Sequence, residues 1–207
     1  MDGPHYINAY CIIEQNQVRK NGSTLFENRD AAVPVFLESA YQYLDINYPK
    51  FYKMDLLSKL GFLGSEVLLR DSFEKDAYQE QDTAVVLSNA SGSLDTDIRY
   101  FNTVRDFASP SLFVYTLPNI MIGEICIRNQ FRGENAFFVF PSFDATFTVD
   151  YVNDLIGSNR AKACICGWVE LLNEKYQAFL FLVEKKALGA PLVFSAANIQ
   201  NILPPGT

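Results

Sequence analysis

The side chains able to do chemistry are few and scattered. Ser142 sits in Phe140-Pro141-Ser142-Phe143-Asp144, with one carboxylate two residues on. A hydrolase nucleophile elbow needs small residues in the Gly-x-Ser-x-Gly pattern, because that turn is strained and tightly packed. Phenylalanine on both sides argues against it, and Ser142 or Asp144 reads better as the cap of a following helix. Cys164 and Cys166 alternate along an apolar run, so both thiols would face one side of a strand, but no further metal ligand lies near them. Asp150 and Asp154 are four apart and share a helix face, read as a solvated face. Ser91-Gly92-Ser93 follows a strand but lacks the Gly-x-Gly-x-x-Gly phosphate pattern. His5, the only histidine, reads as a terminal surface residue, and Lys50, Lys53, Lys59 and Arg70 as a scattered helix surface that an acidic carrier protein could meet.

The elements that would position these groups alternate in type. Tyr6–Ile13 is an apolar run of strand length, and residues 15–30 are polar and read as a loop. Residues 31–52 are aromatic-rich and broken by Pro34 and Pro49, a short helix or irregular excursion. Met54–Arg70 repeats leucine and valine at helical spacing. Gly61, Gly64 and Ser65 give that helix a small-residue patch, whose cost of about 1 kcal/mol per glycine requires close packing to offset it. Thr83–Asn89 is a short strand, Asp95–Val104 a polar helix, and Pro110–Arg128 contains an apolar helix, with Pro118 in its first turn, that should be buried. Ala136–Phe140 reads as a strand and Ala145–Ile156 as a helix closed by Gly157. Ala161–Val169 and Ala178–Val183 read as an antiparallel pair, and the tail from about residue 189 as irregular. Strands and helices in this order mean an α/β layered domain with a largely parallel sheet.

Composition sets the outer limits. A chain of 207 residues, 49% hydrophobic, suits a single domain over 1–207 that buries roughly 70% of its unfolded surface without metal or disulfide. A net charge of −7 argues against nucleic acid and gives no support for an anionic membrane. The four cysteines, with no CxxC pair, read as reduced buried thiols of a cytoplasmic protein. The first residues show no basic region followed by an apolar run, so no signal peptide is expected, and no cofactor motif appears.

Several segments, in order, resemble β-ketoacyl synthases of the thiolase-like superfamily. They are Lys53-Met54-Asp55 opening a helix, Ala84–Leu94 as a strand and glycine turn, Ser109-Pro110 followed by Pro118-Asn119 and Gly123, and Arg132-Gly133 leading to the nucleophile strand. The resemblance covers about residues 1–186 and implies the N-terminal half of that fold, a three-layer α-β-α arrangement with a five-stranded, mostly parallel sheet. It places Ser142 where the family carries its nucleophilic cysteine. The helix N-terminus that depresses a thiol pKa does far less for a serine, which also needs a base. The family draws its histidines from a second half that has no counterpart here.

The resemblance therefore implies a subunit without catalysis, similar to the chain length factors of polyketide and aryl-polyene systems. In the family the strand before the nucleophile pairs across the dimer axis. Here that strand is Ala136, Phe137, Phe138, Val139 and Phe140, whose apolar edge would invite aggregation if left bare. The expected partner is a β-ketoacyl synthase or a second copy of the chain, with acyl carrier protein a further candidate. A truncated acyl-transferring or acyl-hydrolysing enzyme using Ser142, and a homodimeric acyl-chain-binding protein, are the alternatives.

Overall fold

In the computed structural model, which describes residues 3–189 and 192–204, one mixed sheet runs through the molecule with helices on both faces. The strands are β1 (Tyr6–Glu14), β2 (Gln17–Lys20), β3 (Ser23–Glu27), β4 (Thr83–Asn89), β5 (Asn135–Val139), β6 (Ala163–Leu172), β7 (Lys175–Glu184) and β8 (Leu192–Val193). Their order is β3-β2-β1-β7-β6-β4-β5, with β8 added to β1. The helices are α1 (Val33–Tyr43), α2 (Leu56–Leu69), α3 (Leu94–Val104), α4 (Pro110–Phe113), α5 (Asn119–Asn129), α6 (Ala145–Gly157) and α7 (Ala196–Ile202).

The α-β-α layering matches expectation; the strand count and direction differ. Only β4 with β5 and β4 with β6 pair in parallel, and the other pairings are antiparallel. Two of the three additional strands come from residues 15–30, read above as a loop, and the third is β8. Gln15-Asn16 and Asn21-Gly22 all have positive φ, as do Asn173-Glu174 between β6 and β7. Two consecutive left-handed residues make a type I′ turn, whose twist suits a tight hairpin. The tail is not irregular either: β8 pairs with Tyr6 and Ile7, and α7 is capped by Ser195. Pro191 and Pro205 lie outside the described residues.

The two faces hold separate cores. On the first, α1, α2 and α5 pack over the sheet around Phe36, Phe51, Phe62 and Leu63. The small-residue patch of α2 works as expected. A Cβ on Gly61 would fall 2.3 Å from the Met121 sulfur, and one on Gly64 would fall 2.9 Å from a Leu180 methyl. On the second face, α6 and α7 cover Trp168, Phe179 and Phe181. Cys164 and Cys166 lie in that second core while Ile165 lies in the first, confirming the alternation along β6. Within Pro110–Arg128 the one-turn α4 precedes α5, which begins directly after Pro118 as expected, with Met121, Ile122 and Ile125 buried but Ile127 exposed. No helix among the described residues is long and apolar enough to cross a membrane.

Candidate interface and the turn at Ser142

Ser142 lies exposed in the turn between β5 and α6. Its neighbour Phe143 drives inward, with its ring 4.9 Å from that of Phe179 and 6.3 Å from Trp168. The cap of α6 is Asp144, whose carboxylate accepts from the Phe147 amide at 2.8 Å. An open cavity of about 300 Å³ adjoins the turn, lined by residues 140–146 and by Gln200 and Leu203 from the end of the chain.

Among the described residues, the two candidate bases for the hydroxyl are both held elsewhere. His5 is buried rather than at the surface, and its Nδ1 is 2.7 Å from the Asn153 side-chain oxygen. Asn153 is eight residues into α6 from Ala145, so His5 meets the helix about 12 Å from its start. Asp144 is engaged in capping. The turn therefore offers a helix N-terminus and an unassisted alcohol, which is a poor nucleophile at neutral pH.

The remaining chemical candidates are engaged elsewhere. Burial pushes the Cys11 thiol up to about 12, Cys126 up to about 11, and Cys166 well above its ordinary value. All four cysteines are free, and no group of three or more metal-ligating side chains occurs among the described residues. The turn after β4 does gather backbone donors, but the protein fills it with its own carboxylate. Glu170 Oε2 accepts from the Ala90 amide at 2.7 Å and the Ser91 amide at 3.1 Å. Sequence alone could not show this, because Glu170 is 80 residues away on β6. Asp150 and Asp154 are exposed, with Asp154 paired to Arg160. Of the basic residues, Lys59 is buried against Glu38, Lys50 pairs with Glu124, and Arg70 donates to the Leu44 carbonyl.

The distinctive surface lies along β5. This strand is at the end of the sheet, paired on one side with β4 from Asn135 to Val139 and, among the described residues, with nothing on the other. Phe137 packs into the first core, while Val139 is 59% exposed. On the opposite face Phe138 and Phe140, with rings 5.8 Å apart, meet Phe147 and Tyr151 one turn apart on α6. The ring separations of 4.8 to 5.7 Å mark a continuous cluster, and all four rings stay half-buried. Sequence reading identified the strand but missed Phe147 and Tyr151; their i, i+4 spacing was the available signal.

No protein-family profile matches the chain, and no curated protein does. Solved structures do. An ishigamide ketosynthase/chain length factor superposes with a TM-score of 0.63 at 16% identity, covering 88% of this chain and 62% of that one. A ketosynthase, ApeO, in complex with its chain length factor ApeC from Xenorhabdus doucetiae gives 0.59 at 13%, covering 89% and 80%. A β-ketoacyl synthase from Burkholderia phymatum gives 0.60 at 13%, covering 88% and 59%. The chain thus spans about three fifths of the length of the first of these structures. With strand order, layering and these superpositions together, the chain has the fold shared by β-ketoacyl synthases and their chain length factors.

Proposed function

We propose that this chain is a non-catalytic, single-domain, β-ketoacyl synthase-like subunit that pairs with an active synthase in the cytoplasm, in the manner of a chain length factor. The open edge of β5, flanked by four half-buried aromatic rings, carries this reading. An unpaired strand with apolar neighbours is an aggregation hazard unless another strand completes it. The turn at Ser142 supports the absence of catalysis, since His5 is bonded to Asn153 and Asp144 caps α6. Similar solved structures include a ketosynthase in complex with its chain length factor and an acyl carrier protein in complex with its ketosynthase, so such a carrier is a further candidate partner. The proposed pairing residues are Ala136, Phe137, Phe138, Val139 and Phe140, with Ser142 as a vestige of the nucleophile position.

The test is recovery of the tagged chain from its native host. A full-length synthase should come down with it. Val139→Asp, on an exposed side chain, should fold normally and weaken that complex by about tenfold or more, because it places an unpaired carboxylate in the joint. Acyl-thioester turnover by the isolated chain that vanishes in Ser142→Ala would instead establish an enzyme.

A further inference from the structure

At the start of β4 the chain leaves a buried hydroxyl unpaired. Thr83 is 1% exposed, and its Oγ1 has no hydrogen-bond partner. A buried polar group in that state is costly, so a ligand able to pair with it is favoured. Thr83 lines a cavity of about 240 Å³, which has room for roughly eight water-sized groups. The cavity opens between residues 73–80 and the end of α5 at residues 129–131. It lies at the opposite end of β4 from the turn at Ser142. The parallel strand β5 reaches that turn past Asn89, whose carbonyl accepts from the Phe140 amide at 3.0 Å.

The apolar lining is aromatic. The Phe73 and Tyr78 rings stack 5.0 Å apart, and Phe131 meets Phe73 edge to face at 5.7 Å. Ring faces attract cations, and Tyr78 is enriched for this because its hydroxyl donates to Glu184 and leaves electron density on the phenol. Glu184 is 2% exposed, and its two donors, the Tyr78 hydroxyl and the Asn8 side-chain amide at 2.5 Å, are both neutral. Its charge therefore stands behind the Tyr78 ring. Burial and then the hydrogen bond to Glu184 push the Tyr78 pKa up, with the charges of Glu184, Glu74 and Asp82 adding to the effect. The field at this wall is thus negative.

The rim has the same sign. The C-terminus of α5, where Gln130 turns left-handed at φ of +60°, carries the partial negative charge of the helix dipole. Asp76 is exposed and has no ion pair among the described residues, while Glu80 is shared with Arg132 at 3.0 Å. Lys75 is the one cation lining the cavity, and it is tied across the mouth to Gln130 Oε1 at 3.0 Å. These surroundings repel an anion. A quaternary ammonium suits the rings but has no N–H to give the Thr83 hydroxyl, whereas a primary ammonium has three.

We infer that this cavity binds a short primary alkylammonium ion, with its N–H groups toward Thr83 and its chain against Phe73, Tyr78 and Phe131. The inference stands apart from the pairing reading. Such an ion is either a free amine or the side chain of a lysine, and the probes separate the two.

Calorimetric titration of the full chain with n-butylammonium should show one saturable site. n-Butanol, butyrate and tetramethylammonium should each bind about tenfold more weakly or worse. Thr83→Val should melt no lower than the wild type, because the hydroxyl it removes is unpaired, and should weaken n-butylammonium binding by about fivefold. Asp76→Asn, on an exposed side chain, should weaken it about twofold to threefold, with a smaller loss at high salt. Lys75→Gln should strengthen it. Tighter binding of Nα-acetyl-lysine amide than of n-butylammonium would identify a lysine side chain as the ligand, and weaker binding a free amine. Absence of a saturable site overturns the inference. Equal binding of n-butanol does so as well, since it would mark a merely apolar hole. So does an affinity unchanged in Thr83→Val, Asp76→Asn and Lys75→Gln, which would place the amine elsewhere on the acidic surface.

Discussion

At the scale of single residues, the side chains with chemical potential are turned to structural work. Asp55 shows how. It caps α2 by accepting from the Ser58 amide at 2.9 Å and receives the Thr96 hydroxyl that anchors α3. Burial nevertheless holds its carboxyl above the ordinary value of 3.8, with the charge of Asp95 adding to the effect and the hydrogen bonds opposing it. A carboxyl with a raised folded pKa favours the folded chain fully below its unfolded value, and that advantage is lost as pH rises through the folded value. Asp55→Asn keeps a capping oxygen but cannot ionise. Chemical denaturation of both proteins should therefore show the variant gaining on the wild type as pH is raised from about 4 to 7; a pH-independent difference would contradict the burial argument. The helix that Asp55 caps was legible in the run of leucines, with its start set two residues too early. The bond of Asp55 to Thr96, 41 residues away, was not.

At the scale of elements, apolar spacing marks the helices, whereas the hairpins depend on turn chemistry. The leucine spacing of α2 located it to within two residues, and β4, β5, β6 and β7 fall where apolar runs placed them. The β2–β3 hairpin was lost because the segment is polar, although Asn21-Gly22 carries its own hairpin signal. Gly167 was equally silent in the sequence. It sits inside β6 with φ of +147°, and a Cβ there would lie 2.1 Å from the Phe179 carbonyl oxygen. That atom is backbone of the paired strand and cannot move aside without breaking the β6–β7 ladder. Gly167→Ala should therefore cost about 3 kcal/mol or more of unfolding free energy, whereas Gly92→Ala, with positive φ but open space around it, should cost about 1 kcal/mol. Equal losses in urea unfolding would mean that the contact with Phe179 is relaxed in solution.

At the scale of the whole molecule, one sheet separates two cores, and the four thiols report on both. Cys11 is buried in the first core and Cys164 and Cys166 in the second, while Cys126 is half-exposed on α5. If the two faces open only together, the three buried thiols should react with a disulfide reagent at one common rate, slower than Cys126 by orders of magnitude and matching global unfolding. Mass-resolved labelling of each cysteine measures this. Faster modification of Cys164 and Cys166 than of Cys11 would show that the α6–α7 face opens on its own.

The sequence by itself determined the α/β class, most of the elements, and the resemblance to β-ketoacyl synthases. These depend on local pattern: apolar period, caps, and short motifs in a fixed order. Tertiary structure decided what those patterns face. It buried His5 against Asn153, filled the turn after β4 with Glu170, and left β5 at the edge of the sheet with its aromatic cluster. It also rooted α3 through Asp95 and Thr96 so that its apolar side points outward. Each of these outcomes joins residues distant in the chain, and their burial follows from which strand and helix become neighbours. For that physical reason the resemblance named a fold, while the fold located the surface from which a pairing role is proposed.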